Sequence, residues 1–295
     1  MFDKLLGLWK KSRLSGRGLT KNPLMRALYR LGIRLAGRDI VNIEGHRMRF
    51  DEFFGMNINE DGGFDPDETA VVKRIIKPGF ICLDVGANAG YYSLIFAKLS
   101  GPQGKVYAFE PEKRNYEMLI ENVRANGYEN IITEQSAVSD ETGSLKLFLS
   151  DDNAGDHRIA ANNDARQWQE TRVTTIDEYL KDKTDRVDYV KTDIQGADFK
   201  ALKGMAATLK KNPDIMIQSE FWPSVMVKAG DDPADFLQFL KEYGFTVYDI
   251  LERRKDKAWQ PADPSRMLSA YTAENEKATN IFAVRNKAAI QEVYP

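Results

Sequence analysis

The sequence predicts an α/β protein with a doubly wound, mostly parallel seven-stranded sheet and helices on both faces. Two observations favour this class. From residue 70 onward, short apolar strands alternate with helical patterns, as in βαβ units. The first strand, residues 80–84, runs directly into a turn that contains Gly86 and Gly90 and then into a helical segment, a pattern typical of a ligand-binding loop. The 295 residues, 42% of them hydrophobic, are enough for one large core.

The individual elements follow from hydrophobic periodicity and from turn residues such as Pro78-Gly79 and Asn126-Gly127. In the first half, strands are predicted at 80–84, 105–109 and 131–135. Helices are predicted at 66–76 and 113–126, and a further helix follows the glycine turn and ends at residue 99. In the second half, strands are predicted at 144–149, 188–192, 215–219 (ending at Glu220), 245–249 and 280–284, and helices at 198–211 and 231–243. The polar, Pro-containing segment 252–278 predicts a loop or lid.

Residues 1–63 are predicted to form a basic arm and lead-in segment, and residues 64–295 the catalytic domain. Residues 1–38 contain ten Lys or Arg and one acid, a local charge of +9, so the remainder carries −11 of the total −2. Leucines recur there at helical spacing, so we expect a helical arm that either lies on an anionic membrane surface or packs on the domain. No signal peptide or membrane span is predicted. The overall charge balance gives no case for nucleic-acid binding.

The single cysteine, Cys82, lies in the first predicted strand and excludes a disulfide scaffold. It favours a reducing compartment, and the sequence therefore predicts a cytoplasmic protein, with peripheral membrane contact through the arm as an addition. The oligomeric state is not predicted.

The loop after the first strand distinguishes between cofactors. A dinucleotide fold requires G-x-G-x-x-G, but Asn88 stands where the middle glycine would allow a pyrophosphate to approach. The remaining pattern favours a ligand without phosphates that carries an ammonium group, such as S-adenosylmethionine. Glu110 ends the next strand, where its carboxylate can accept hydrogen bonds from both ribose hydroxyls. An NAD-dependent oxidoreductase is the disfavoured alternative.

The ordered motifs resemble those of FkbM-type methyltransferases over roughly residues 64–250. They are Asp84 to Gly90, Phe109-Glu110-Pro111, Asn122, Ala137-Val138-Ser139-Asp140, Thr175-Ile176-Asp177 and Lys191-Thr192-Asp193-Ile194-Gln195-Gly196. The resemblance implies a class I, Rossmann-like S-adenosylmethionine-dependent methyltransferase that acts on hydroxyls of sugars or natural products. One departure from the family pattern Asp-Val-Glu-Gly-x-Glu matters for the chemistry, because Gln195 replaces the first Glu and cannot act as a base, so that its charge is lost or shifted to Asp198.

Candidate site residues follow from this reading. The predicted cofactor-binding residues are Asp84, Gly86, Asn88, Gly90, Glu110, Pro111, Ser136, Ala137, Val138 and Asp193, of which the resemblance places 136–138 beside the adenine. The predicted catalytic residues are Asp193, His157 and Glu220, and the predicted acceptor-binding residues are Tyr91, Trp222 and Asp198. No metal site is predicted, since a divalent ion between Asp193 and Glu220 would have too few oxygen ligands.

The expected function is transfer of a methyl group from S-adenosylmethionine to a hydroxyl of a small sugar-containing or natural-product acceptor. The alternative from a different class is a non-catalytic cofactor-binding module that uses the basic arm for docking, with Gln195 marking lost chemistry.

Overall fold

The computed structural model describes residues 40–49, 64–149, 167–251 and 259–286. The basic arm (1–38), most of the predicted lead-in segment and His157 lie outside these ranges. In the first half, the elements are β1 (Ile40–Ile43), β2 (His46–Arg49), α1 (Pro66–Ile75), β3 (Ile81–Val85), α2 (Tyr91–Ser100), β4 (Lys105–Phe109), α3 (Lys113–Asn126), β5 (Ile131–Glu134), β6 (Ala137–Val138) and β7 (Gly143–Phe148).

The second half continues the alternation of strands and helices. Its elements are β8 (Trp168–Thr174), α4 (Ile176–Leu180), β9 (Tyr189–Thr192), α5 (Asp198–Lys203), α6 (Ala206–Lys211), β10 (Met216–Phe221), α7 (Pro223–Lys228), α8 (Pro233–Glu242), β11 (Thr246–Asp249), α9 (Pro264–Ala270) and β12 (Thr279–Val284).

The main sheet contains seven strands in the order β11-β12-β10-β9-β3-β4-β5. Strands β5, β4, β3, β9 and β10 are parallel, and β12 runs antiparallel between β10 and β11. The chain order reverses between β3 and β9, and ligands of doubly wound sheets bind at the carboxyl ends of the strands at such a switch point. The prediction of a doubly wound, mostly parallel seven-stranded sheet is confirmed.

Two buried layers cover the sheet. One contains Leu94 and Phe96 of α2 with Val72 of α1, and the other contains Leu202 and Phe236 from α5 and α8. These side chains are 0% exposed, and burial of such apolar surface is the main favourable contribution to folding. A second sheet, β6-β8-β7, stands beside the carboxyl ends of the main sheet.

Several details differ from the sequence prediction. The helix expected at 198–211 is divided at Gly204, where a Cβ atom would lie 2.0 Å from the carbonyl oxygen of Ser139, so this glycine permits a close backbone approach. The segment 252–278 contains α9, which begins where Asp263 Oδ1 accepts a hydrogen bond from Arg266 N. Strand β8 was not predicted, and Glu220 lies within β10 rather than after it.

The N-terminal hairpin, formed by β1 and β2 (residues 40–49), packs on the domain. Asn122 and Asn126 of α3 hydrogen-bond to the backbone of Arg49 and Arg47, and the Lys98 ammonium donates to the carbonyl oxygen of Glu44. The predicted domain boundary at residue 63 remains a prediction.

Candidate functional site

The glycine loop, residues 86–90, connects β3 to α2 and has an unusual backbone. Gly86, Asn88 and Gly90 have φ values of 86°, 50° and 92°, in the left-handed region that glycine adopts readily and asparagine tolerates. Gly86 is required for a second reason. A Cβ atom there would lie 2.3 Å from the carbonyl oxygen of Asp193, at the end of β9. The loop therefore touches the neighbouring strand end directly.

Every backbone N–H of the glycine loop is donated within the protein. Gly86 N and Ala87 N donate to the carbonyl oxygen of Phe109, and Gly90 N donates to that of Ala87. Ala89 N donates to Asn88 Oδ1 at 2.7 Å, and Asn88 N donates to a side chain described next. The loop N–H groups are thus engaged already, which disfavours a phosphate-binding role of the kind found in dinucleotide folds.

Glu110 joins the glycine loop to the end of β4. Its Oε2 accepts a hydrogen bond from Asn88 N and its Oε1 accepts one from Glu112 N, both at 2.8 Å. Each carboxylate oxygen has two acceptor sites, so one remains on each oxygen. The residue is 5% exposed, and burial raises its pKa to about 8 although the two backbone hydrogen bonds lower it.

A cavity of about 60 Å³, open to solvent, lies between the carboxyl ends of β3, β4 and β9. The residues that line it are Val85, Gly86, Asn88, Phe109, Glu110, Pro111, Asn115, Ser136, Ala137, Val138, Leu147, Asp193, Ile194 and Gln195. Eight of the ten predicted cofactor-binding residues are among them. One polar atom of the lining, Ser136 Oγ, is buried and has no hydrogen-bond partner within the part of the chain that the structure describes.

Asp193 brings a carboxylate to the cavity wall at the end of β9. Its Oδ2 lies 3.0 Å from Lys191 Nζ, and its Oδ1 accepts from Gln195 Nε2 at 3.4 Å. Lys191 is buried, and its ammonium also lies 4.5 Å from the ring centroid of Tyr92. Although burial lowers the pKa of Lys191, the carboxylates of Asp193, Glu68 and Asp84 raise it overall. Asp193 is therefore oriented from two sides by hydrogen-bond donors.

Two further acids lie near Asp193 but do not line the cavity. Asp198 is 1% exposed; its Oδ2 accepts from Gly196 N at 3.3 Å, and burial together with the charge of Asp193 raises its pKa to about 7. Burial and the same neighbour raise the pKa of Glu220 well above its usual range. Glu220 Oε2 is buried and accepts no hydrogen bond from any described residue. Burial thus shifts both side chains towards the protonated form.

Four other predicted site residues lie away from the cavity lining. Asp84 is buried and accepts a hydrogen bond from Ser93 Oγ at 2.5 Å. Gly90 packs on α3, where a Cβ atom would lie 2.7 Å from Leu119 Cδ1. The Tyr91 hydroxyl contacts Phe64 and Thr69 at the start of α1. Trp222 follows β10 and is half-buried. Placement of these residues in a ligand site remains a prediction.

The sequence analysis did not assign Lys191, Asn115 or Leu147 to the site. Leu147 reaches the cavity from β7, and β8 of the same small sheet is joined to the Pro111 carbonyl oxygen by Gln169 Nε2 at 2.9 Å. The sequence did hint at a special role for Lys191, because it lies within a predicted core strand and lysines are rarely buried without a partner. The positions of Asn115 and Leu147 depend on tertiary packing.

Two general features of the described residues concern membrane-spanning helices and metal binding. None of their helices is long and apolar enough to cross a membrane. Within the same ranges, no cluster of three or more His, Cys, Asp or Glu side chains is arranged to bind a metal ion.

Comparison with known proteins gave consistent matches. A family model described as a methyltransferase FkbM domain matches residues 84–247. The hexuronic acid methyltransferase AglP of Haloferax volcanii is 30% identical over 165 residues, which cover 54% of this chain and 60% of that protein. The 31-O-demethyl-FK506 methyltransferase FkbM of Streptomyces tacrolimicus is 36% identical over 80 residues, or 26% of this chain and 29% of that protein.

Among solved structures, the methyltransferase FkbM from Methylobacillus flagellatus KT aligns with 14% identity and a TM-score of 0.41, covering 80% of this chain and 56% of that one. The chain thus spans less than two thirds of the length of each of these three proteins.

The contact between Gly86 and β9 predicts unequal effects of two alanine substitutions. Gly79 and Gly86 have nearly the same φ, 83° and 86°, but a Cβ at Gly79 would meet no atom within 4 Å. Gly79→Ala should therefore lower the free energy of unfolding by about 1 kcal/mol through backbone strain alone. Gly86→Ala should lower it by about 2 kcal/mol more, because the loop and Asp193 must separate. Urea denaturation measures both, and equal losses would contradict the proposed contact.

Proposed function

Because the chain belongs to the FkbM methyltransferase family, we propose that its cavity binds S-adenosylmethionine and that it methylates a hydroxyl of a small sugar-containing or natural-product acceptor. The observation that carries the cofactor assignment is the position of Glu110. Its buried carboxylate stands at the end of β4 beside the glycine loop, with one acceptor site open on each oxygen.

The cavity fits this ligand in three respects. Glu110 can accept hydrogen bonds from the two ribose hydroxyls, as acids at this strand end do for other nucleosides. Ser136 Oγ is buried at the wall without a partner among the described residues, and it provides a donor or acceptor for the adenine. Asp193 brings a carboxyl group to the cavity wall beside the glycine loop, which suits a ligand that carries positive charges.

When bound, the cofactor supplies an electrophilic methyl group on a sulfonium. The acceptor oxygen would take up the methyl group as its bond to sulfur breaks and the thioether leaves, and a carboxylate close to that oxygen would assist by accepting the hydroxyl proton. We assign this role to Asp193, since Lys191 and Gln195 leave its carboxylate at the cavity wall. The Gln195 amide donates a hydrogen bond to Asp193, which the ionised glutamate of the family could not do. Glutamine at this position is therefore compatible with an active site.

The acceptor class is supported by similarity. AglP is named for a hexuronic acid and the Streptomyces protein for FK506, a natural product. A hydroxylated small molecule of either class is the proposed acceptor, and Tyr91, Trp222, Asp198, Glu220 and His157 stay proposed as contributors to its binding or deprotonation. The basic arm is proposed to contact either anionic lipid or the domain.

The first test is calorimetric titration of the full chain with S-adenosylmethionine, S-adenosylhomocysteine and NADH. We expect binding of the two sulfur ligands and none of NADH, because the glycine loop donates its N–H groups internally. Binding of NADH alone would overturn the cofactor assignment. Binding without methyl transfer to any hydroxylated acceptor would instead favour the non-catalytic module.

The raised pKa of Glu110 predicts that cofactor affinity depends on pH. Ribose hydroxyls donate best to the ionised carboxylate, whose pKa in the free protein is about 8. Below that value the ionised fraction falls with decreasing pH, so affinity for S-adenosylhomocysteine should rise by up to about tenfold per unit between pH 6 and 8 and then level off. Glu110→Gln should bind more weakly and lose this dependence. The same slope in both proteins would remove Glu110 from the ribose site.

Asp193→Asn tests the catalytic role. The amide cannot accept the proton, so turnover with a hydroxylated acceptor should fall by about 10²-fold or more. Affinity for S-adenosylhomocysteine should fall less than turnover does, because the cavity shape is kept and only the charge is lost. Asp140→Asn serves as the control, since Asp140 pairs with Lys203 outside the cavity lining. A fall in cofactor affinity equal to the fall in turnover would place Asp193 in cofactor binding alone.

A further inference from the structure

Asn122 hydrogen-bonds to two separate parts of the chain at once. Its Nδ2 donates to the carbonyl oxygen of Ala89, in the glycine loop, and to that of Arg49, in the N-terminal hairpin, both at 2.8 Å. Its Oδ1 accepts from Arg49 N at 2.6 Å. The side chain is 1% exposed, so all its polar groups are satisfied by protein atoms.

The orientation of this amide follows from its partners. Two carbonyl oxygens face the nitrogen and one N–H faces the oxygen, so the reverse orientation would place acceptor against acceptor. Breaking the arrangement would leave buried polar groups unsatisfied, including the Ala89 carbonyl. The position is therefore specific for an amide of this length.

The Ala89 carbonyl is a sensitive point in the glycine loop. It lies between Asn88 and Gly90, both with positive φ, and such backbone persists when surrounding contacts restrain it. On the β4 side the loop is restrained by Phe109 and Glu110. On the α3 side the restraint comes from Asn122 and from contact of Gly90 with Leu119.

Asn126 provides a natural comparison one helical turn further along α3. Its Nδ2 donates to the carbonyl oxygen of Arg47 and its Oδ1 accepts from Arg47 N, at 2.8 and 2.9 Å. It thus binds the hairpin as Asn122 does. Its remaining bond goes to the carbonyl oxygen of Asn122, and no bond to the glycine loop is present in the described structure.

We propose that Asn122 is a positioning residue that couples the N-terminal hairpin to the cofactor loop. The hairpin restrains Asn122, and Asn122 in turn restrains the Ala89 carbonyl. The same stretch of backbone includes Asn88 N, which donates to Glu110, so its position is restrained as well. Cofactor binding and hairpin order then stabilise each other, because coupling between two sites is reciprocal. The cofactor part of this inference rests on the function proposed above.

The experiment compares the full-length wild type with Asn122→Ala, Asn122→Asp and Asn126→Ala. Hydrogen exchange without ligand comes first. Exchange of peptides that contain residues 86–90 should accelerate in both Asn122 variants and stay at the wild-type rate in Asn126→Ala. Asn122→Asp retains an acceptor for Arg49 N but has no donor for the carbonyl oxygens of Ala89 and Arg49, so it removes the loop contact while keeping one bond to the hairpin.

Titration with S-adenosylhomocysteine follows. Affinity should fall by about five- to tenfold in both Asn122 variants, as for loss of one hydrogen bond, and stay within about twofold in Asn126→Ala. The ligand should slow exchange over residues 40–49 in the wild type and Asn126→Ala, and not in Asn122→Asp. Circular dichroism confirms that each variant is folded.

Equal effects of Asn122→Asp and Asn126→Ala on loop exchange would overturn the coupling, whether or not a ligand binds. Equal effects of these two substitutions on affinity for S-adenosylhomocysteine would also overturn it. So would hydrogen exchange of residues 40–49 that the ligand does not slow in the wild type. The remaining outcome is that loop exchange changes in the variants as expected while the wild-type protein binds neither sulfur ligand. That result would overturn the proposed function and leave Asn122 as a restraint of the loop alone.

Discussion

The site depends on the close approach of the glycine loop to the ends of β4 and β9. A carbonyl oxygen of β9 occupies the space that a side chain at residue 86 would need, and Glu110 receives the Asn88 N–H from the other side. The carboxyl groups of Glu110 and Asp193 both line the cavity that results.

Burial of charge is the second constraint. Lys191 is buried among the carboxyl groups of Glu68, Asp84 and Asp193, in the layer between the sheet and α1 and α2. A single ammonium cannot neutralise all of these groups, and burial raises the pKa of Glu68 to about 8 and also raises that of Asp84. Asp193 is the partner within hydrogen-bond distance.

The N-terminal hairpin lies outside the matched family domain, which begins at residue 84. Its contacts with α3 are specific, because Asn122 and Asn126 each present a donor and an acceptor to one hairpin residue. In the sequence, the hairpin follows the basic arm, residues 1–38. Of the segments that the structure describes, the hairpin is the nearest to the arm along the chain. The Asn122 side chain connects this hairpin to the glycine loop.

The sequence by itself determined the sheet, most element boundaries and the principal cavity residues. Alternating periodicity defined β4 and α3 to the residue, and the loop between Asp84 and Gly90 located the ligand site, because local patterns encode strands, helices and tight turns. Only the tertiary structure showed that Asp84 is buried behind the cavity, that Lys191 pairs with Asp193, and that Leu147 and Asn122 belong to the surroundings of the site. Those facts depend on which distant segments pack together, and the contact of Asn122 with Ala89 joins residues 33 positions apart. No periodicity or spacing in the chain records such a contact, because it arises from the folding of α3 against the loop and the hairpin.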